Sequence, residues 1–585
     1  MKFVNFLLGL LEGLLKAVTR YWAVFICLTA MATLNIISIE TDANYERSII
    51  ALAFGVFCFL AAQSLTERFS EKFIPHLAVY SAAFLAFAGY FTYVKTLESI
   101  DNIVGIKTVT LMFALLVTFI WIPSYKNKAD FGGVFLCVFK ASFTSAFFCG
   151  VIFGGISLIL AAADALLFNI SSKAFLHTAN IVWVLLAPML LLSLIPVFAG
   201  KNRDADGDNI KKAQSYPKFL ETLLSYVLIP LISIYTLVLI VYTGKTIISS
   251  SWDDNLLEPI ILSYLIAMLI LYLLVYRLDN AFSRAFVKIA PLILAVIALF
   301  QLSASVIAFI DGGMVVSRYY IIMFCIYAII CGVLLFMRSK KRKDYIAYLA
   351  VIFALVCVIP YVGAFGASAI SQSNRVENTL IKNGMLEDGK IIKKSDIPTE
   401  DMEKIEDGIY YLYQIKALDR LDFLPVSFDP YNGFYNVFGF DSNDIKYNYI
   451  TKSFELDSGT PVATEGYKYL YDTAFYLTGK NVNNELFAFT ADNADYKIKL
   501  IEADNAYYFI FLKDNAEIIT VPIKDVIDLM SGYPEGTTVL KQDKLAFDYE
   551  NESIYIRLVY KSVRMNVFDN DTELYANVYI LFTLR

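Results

Sequence analysis

Eleven apolar runs, each close to the length a helix needs to cross the hydrocarbon core of a bilayer, occupy most of the chain's first 370 residues. They cover residues 21–38, 48–65, 76–94, 103–122, 140–168, 175–198, 219–243, 257–276, 286–310, 318–337 and 345–369. Inside lipid every backbone amide and carbonyl must be paired within its own segment, which leaves the helix as the form for such runs. The fifth run is long enough to tilt, or to break near Gly154 and Gly155. With 58% hydrophobic and 18% charged residues over 585 positions, a soluble multidomain protein is excluded.

After residue 370 the pattern changes to polar residues and frequent turns. The sequence therefore predicts an all-α membrane bundle of about 11 transmembrane helices (residues 21–370), followed by a smaller extracytoplasmic α+β domain with an antiparallel sheet (371–585). In that tail, residues 371–383 continue a helix out of the membrane and 400–421 form another. Residues 495–501, 506–513 and 517–522 alternate as a meander, 523–530 read as a short helix, and 553–567 with 574–584 as a long terminal hairpin. Residues 1–20 read as an amphipathic helix on the membrane surface, with Phe3, Leu7, Leu10, Leu14 and Val18 on one face; continuation of the first span is the alternative.

Basic loops stay in the cytoplasm. Assigning loops alternately, the amino terminus and even-numbered loops hold 21 Lys and Arg, and the odd-numbered loops with neighbouring helix ends hold six. The amino terminus is thus expected inside a plasma membrane, and eleven crossings place the tail outside it. Residues 375–585 carry 22 basic against 35 acidic residues, which argues against nucleic acid as a partner. The tail has no Cys, His or Trp, so it offers neither a disulfide framework, nor a histidine base, nor zinc ligands of those types. No cofactor is expected. The expected surroundings are the lipid bilayer and an envelope component or membrane-protein partner. Twenty of the 39 tyrosines lie in the tail, where they suit half-buried sheet faces; a ligand-stacking role is the alternative.

Ionisable and polar residues at membrane depth are the first functional candidates. Lys107 and Asp164 lie near the outer ends of the fourth and fifth runs, where they would form an ion pair or a relay. Gln301, Tyr235 and Tyr242 would line a deep cavity if the protein transports a solute. Lys245, Asp311 and Arg318, with Glu40, Asp42, Asp253 and Asp254, come from separate outer loops that the tail is positioned to cover. Arg318, beside Asp311-Gly312-Gly313, is the leading candidate for a carboxylate or other anion contact, because its planar fork gives two directed donors. Ala146, Gly150 and Gly154 repeat every four residues and suit close helix packing. Asp204-Ala-Asp206-Gly-Asp208 imitates the start of a calcium loop, but Asn209 and Ser215 stand where the turn glycine and closing carboxylate belong.

Several patterns together resemble a known family. They are Tyr226-Val-Leu-Ile-Pro230-Leu-Ile-Ser-Ile-Tyr235 running on to Tyr242 and Lys245, Ser317-Arg318-Tyr319, Ser371-Gln372-Ser373-Asn374-Arg375, Asn383 to Gly389, and Asn436-Val-Phe-Gly-Phe-Asp441. The chain is similar, from the fourth span onward, to bacterial membrane proteins of the domain of unknown function 4153. The resemblance implies a polytopic membrane protein and carries no mechanism.

Three functions fit. One is a non-catalytic envelope sensor, binding or assembly protein, which the tail's composition favours. Another is a small-solute transporter or channel, and the third a lipid-linked glycosyl or acyl transferase using Glu40 and Asp42 in a short first outer loop.

Overall fold

The computed structural model describes all residues except 1–11, 70–75, 126–129, 199–209, 211, 250–257, 338–342, 426–427, 441–449, 458–460, 478–482, 492–493, 504–505, 534–535 and 568–571. Residues 12–20 are helical, whereas the rest of the expected surface helix, the calcium-like Asp204–Asp208 stretch, Asp253 and Asp254 lie outside the described residues. The chain divides into two compact units, residues 1–392 with 404–432, and residues 393–403 with 433–585.

Among the described residues the first unit holds ten helices long and apolar enough to cross a membrane: α1 (Trp22–Thr41), α2 (Glu46–Phe69), α3 (His76–Thr96), α4 (Asn102–Ser124), α5 (Phe131–Leu166), α6 (Lys173–Ser193), α7 (Lys218–Thr246), α8 (Glu258–Val275), α9 (Ala281–Gly312) and α10 (Val316–Phe336). The eleventh run divides at Pro360 into α11 (Tyr345–Val358) and α12 (Ala364–Lys382). Proline disfavours helix in the residue before it, and Ile359 accordingly leaves the helical region at ψ 133°. The turn that follows is tight. A Cβ on Gly363 would lie 2.5 Å from Cys357 O, and one on Gly366 2.4 Å from Tyr361 Cα.

Two other prolines act more gently. Asn180–Leu186 and Leu223–Leu228 are π-helical, and each stretch ends just before a proline, Pro188 and Pro230. A missing amide frees a carbonyl in the preceding turn, and a wider turn re-pairs it. The long α5 is unbroken at Gly154 and Gly155. A Cβ on Gly150, Gly154 or Gly155 would meet nothing within 4 Å, so the small-residue stripe expected to pack against another helix stands open. Beside it Phe143, Phe147, Val151, Leu158 and Ile159 are exposed. A soluble surface rarely tolerates a patch of this kind, whereas hydrocarbon solvates it.

The second unit is built around two sheets. Numbered after the short hairpin β1 (Leu386–Glu387) and β2 (Lys390–Ile391) of the first unit, one sheet runs β4 (Tyr469–Leu477), β12 (Thr572–Leu584), β11 (Ile554–Val567), β3 (Ile450–Leu456), β9 (Gly536–Leu540) with β10 (Ala546–Glu550) paired to β11, and the other runs β5 (Asn483–Ala491), β6 (Ala494–Ala503), β7 (Ala506–Lys513), β8 (Ala516–Pro522). The expected meander is present as β6 (Ala494–Ala503), β7 (Ala506–Lys513) and β8 (Ala516–Pro522), with β5 (Asn483–Ala491) added in front. The short helix Lys524–Ser531 follows it. The terminal hairpin is β11 (Ile554–Val567) with β12 (Thr572–Leu584). It is flanked by β3 (Ile450–Leu456) and β4 (Tyr469–Leu477), while β9 (Gly536–Leu540) pairs with β3 in parallel and β10 (Ala546–Glu550) with β11. Phe475 meets Phe509, and Phe511 meets Phe582, so aromatic rings join the two sheets in one core.

Candidate functional site

Helix α9 ends where Gly313 enters the left-handed region (φ 72°) and its amide donates back to Phe309 O at 2.9 Å. Only glycine fits there, since a Cβ would also lie 2.8 Å from Gln372 Nε2. Gln372, 2% exposed on α12, donates through that nitrogen to the carbonyls of Gly312 at 2.9 Å and Met314 at 3.1 Å. The Met314 amide donates to Ser371 Oγ at 2.9 Å. The Val316 amide donates to the Tyr411 hydroxyl at 2.8 Å, a residue of the helix Thr399–Gln414. The turn between α9 and α10 is thereby tied down through its backbone, as a buried polar segment must be.

Beside this turn lies a cleft of about 820 Å³. Phe309, Ile310, Val362 and Ile370 give it an apolar wall, while Asp311, Ser371, Asn374, Arg375, Asn378 and Lys404 give it a polar one. Two arginines flank the glycine pair. Arg318 Nη1 would lie 3.5 Å from a Cβ on Gly312, and Arg375 Cδ 3.4 Å from one on Gly313. Arg318 donates to the Gly313 carbonyl. Arg375 donates no hydrogen bond and forms no ion pair among the described residues. Partial burial pushes its guanidinium down from the ordinary value, with Asp407 opposing and Arg318 reinforcing that shift.

Asp311, Arg318 and Gln372, named from sequence, thus converge, and Arg375 joins them from the same Ser371–Arg375 motif. Asp311 and Arg375 line the cleft, Arg318 and Gln372 hold the turn beside it, and the other candidates lie elsewhere. Lys107 Nζ sits 5.0 Å from the Phe365 ring centroid, and Asp164 accepts from the Ile170 amide at 2.6 Å, so the two carry separate local contacts and form no pair. Tyr235 packs edge-on to Tyr264 at 5.5 Å; Tyr242 is half-buried and Lys245 exposed. Gln301, 2% exposed, donates to Ser305 Oγ at 3.2 Å and reaches Glu258 Oε1 at 3.5 Å. Glu40 is held by His177 at 2.7 Å and Lys173 at 3.5 Å, while Asp42 lines a separate hollow of about 480 Å³.

One polar junction escaped the sequence reading. Asp130 accepts from the Tyr276 hydroxyl and lies 3.7 Å from Arg277. Lys343 Nζ stands 3.7 Å from the Tyr276 ring centroid and donates to the Tyr272 hydroxyl at 3.1 Å. Burial pushes that ammonium down to about 8. The visible signal was the Gly132-Gly133 doublet after Asp130, since Cβ atoms there would lie 2.2 Å from the Tyr276 ring and 2.5 Å from Arg277.

An apolar multi-helix unit with a cleft between the end of α9 and one face of α12, and a strand-rich unit, define an integral membrane protein with a β-rich carboxyl-terminal domain. The family model of the domain of unknown function DUF4153 matches residues 20–389, more than half of the chain, and the chain belongs to that family. No curated protein and no solved structure matches it.

Proposed function

We propose that this is a non-catalytic binding or sensing protein of the cell envelope, set in the plasma membrane with its amino terminus in the cytoplasm and its carboxyl-terminal domain outside. The cleft beside Gly312-Gly313 carries the reading. It is concave, joins a larger apolar wall to a polar one, and bears a guanidinium with no hydrogen bond or ion pair among the described residues. The orientation is supported by the bias of Lys and Arg toward the amino terminus and even-numbered loops.

Affinity capture of the full-length chain from native membranes tests this. A reproducible bound lipid or protein is expected with the wild type, and loss of it with Ile370→Trp, which fills the cleft. The same co-purifying set with both would refute the assignment. A transport reading has one observation of its own, the buried Gln301–Ser305–Glu258 cluster. Solute flux in proteoliposomes that Glu258→Gln abolishes would favour it instead.

A further inference from the structure

We propose that the cleft takes the anionic head of an amphiphile, a phosphate or carboxylate carried on an apolar chain, with Arg375 as its charged anchor. The inference rests on the cleft being the binding site and adds the chemical class of what enters it. A guanidinium presents five N–H donors in a planar fork that matches a carboxylate or phosphate. Arg375 leaves all of them open among the described residues. Arg318, across the same glycine pair, spends one contact on the Gly313 carbonyl. Two like charges held this close repel, and an anion placed beside them turns that repulsion into attraction.

The neighbouring groups fit the same ligand. Ser371, Asn374 and Asn378 recur at three- and four-residue spacing, which puts hydroxyl and amide donors on one face of α12 with Arg375. Asp311 in the lining and Asp407 near Arg375 oppose a highly charged polyanion, so the site suits one anionic group. The apolar wall decides between a free anion and an anion on a chain. Phe309 and Ile310 close the apolar helix α9 and are 37% and 73% exposed, and Val362 at 62% and Ile370 at 40% continue the surface. Inorganic phosphate has no use for that wall, whereas an acyl chain buries it.

The test uses full-length protein in phosphatidylcholine nanodiscs, titrated with dihexanoyl phosphatidic acid, dihexanoyl phosphatidylcholine or inorganic phosphate. Saturable binding of the phosphatidic acid is expected, with the other two weaker. Arg375→Gln should weaken it about tenfold or more, the usual effect of losing a charge-assisted contact, and Arg375→Lys should restore part of it. Equal binding of phosphatidylcholine overturns the anionic head, and phosphate binding as tight as the lipid overturns the amphiphile. If Ile370→Trp abolishes binding while Arg375→Gln leaves it unchanged, the cleft stands and the anchor falls. If neither variant changes it, the cleft reading falls as well. Gel-filtration profiles matching the wild type exclude misfolding as the cause of any loss.

Discussion

Asp548 and Arg557 face each other across β10 and β11, and both oxygens of the carboxylate accept from the guanidinium at 2.6 Å. Those bonds hold the carboxyl below its ordinary value of 3.8, against the opposing effect of partial burial. A carboxyl depressed on folding contributes stability that is complete above its unfolded value and is lost as pH falls through the folded one. The carboxyl-terminal unit should therefore lose stability from below about pH 4, with a component that Asp548→Asn lacks. Tyrosine circular dichroism during acid titration reads it. The wild type should start more stable and converge on the variant as the carboxylate protonates; coincident curves would show that the pair contributes nothing, and a constant offset that its contribution does not depend on the charge. At this scale the sequence was legible where a residue type was out of place. Asp311, Arg318 and Gln372 stood at the edges of apolar runs, and each sits at the turn or the cleft. Their partners were not legible, because the carbonyls that Gln372 binds lie about sixty positions away.

Helices and strands were readable where one period ran without interruption. The meander β6–β8 and the hairpin β11–β12 alternate cleanly, and their turns are local. The parallel pairing of β3 with β9 joins segments more than eighty residues apart, which no local pattern reports. Glycine and proline were the ambiguous letters. Pro188 and Pro230 end π turns inside continuous crossings, whereas Pro360 stops a helix, because only there do glycines fold the chain back onto its own backbone. Two glycine substitutions should separate the cases. Gly366→Ala places a methyl against the Tyr361 backbone, which cannot swing aside, and should cost on the order of 1–3 kcal/mol. Gly154→Ala enters open space and should gain up to about 1 kcal/mol in helix propensity. Thermal melting in detergent, followed by the tryptophans of the apolar half, should place Gly366→Ala below the wild type and Gly154→Ala at or above it. The reverse order would mean that the Pro360 turn is looser than its contacts indicate.

For the molecule as a whole, the side on which each end emerges depends on whether the divided eleventh run still crosses. Helix α11 has 14 residues, about 21 Å of rise, too short for the core alone. Its contacts give the missing length. At one end Ser124 donates to Asp344 at 3.2 Å beside the close of α4, and at the other Phe365 lies under Lys107 near the start of α4. Residues 344–365 therefore run beside nearly the whole of α4, itself long and apolar enough to cross a membrane, and the turn at Pro360 adds the length that α11 lacks. Counted as a crossing, this stretch brings the ten candidate spans to eleven, the odd number on which the proposed topology, with the two ends of the chain on opposite sides, rests. A cysteine at Glu517, exposed in the carboxyl-terminal unit, should react with an impermeant maleimide in intact cells. One at Lys212, exposed after α6, should react only once the membrane is opened. Background labelling should be low, because all seven native cysteines are buried. Labelling of both sites in intact cells, or of neither, would show that residues 344–365 turn back within the membrane, and the carboxyl-terminal unit would then share a compartment with the amino terminus.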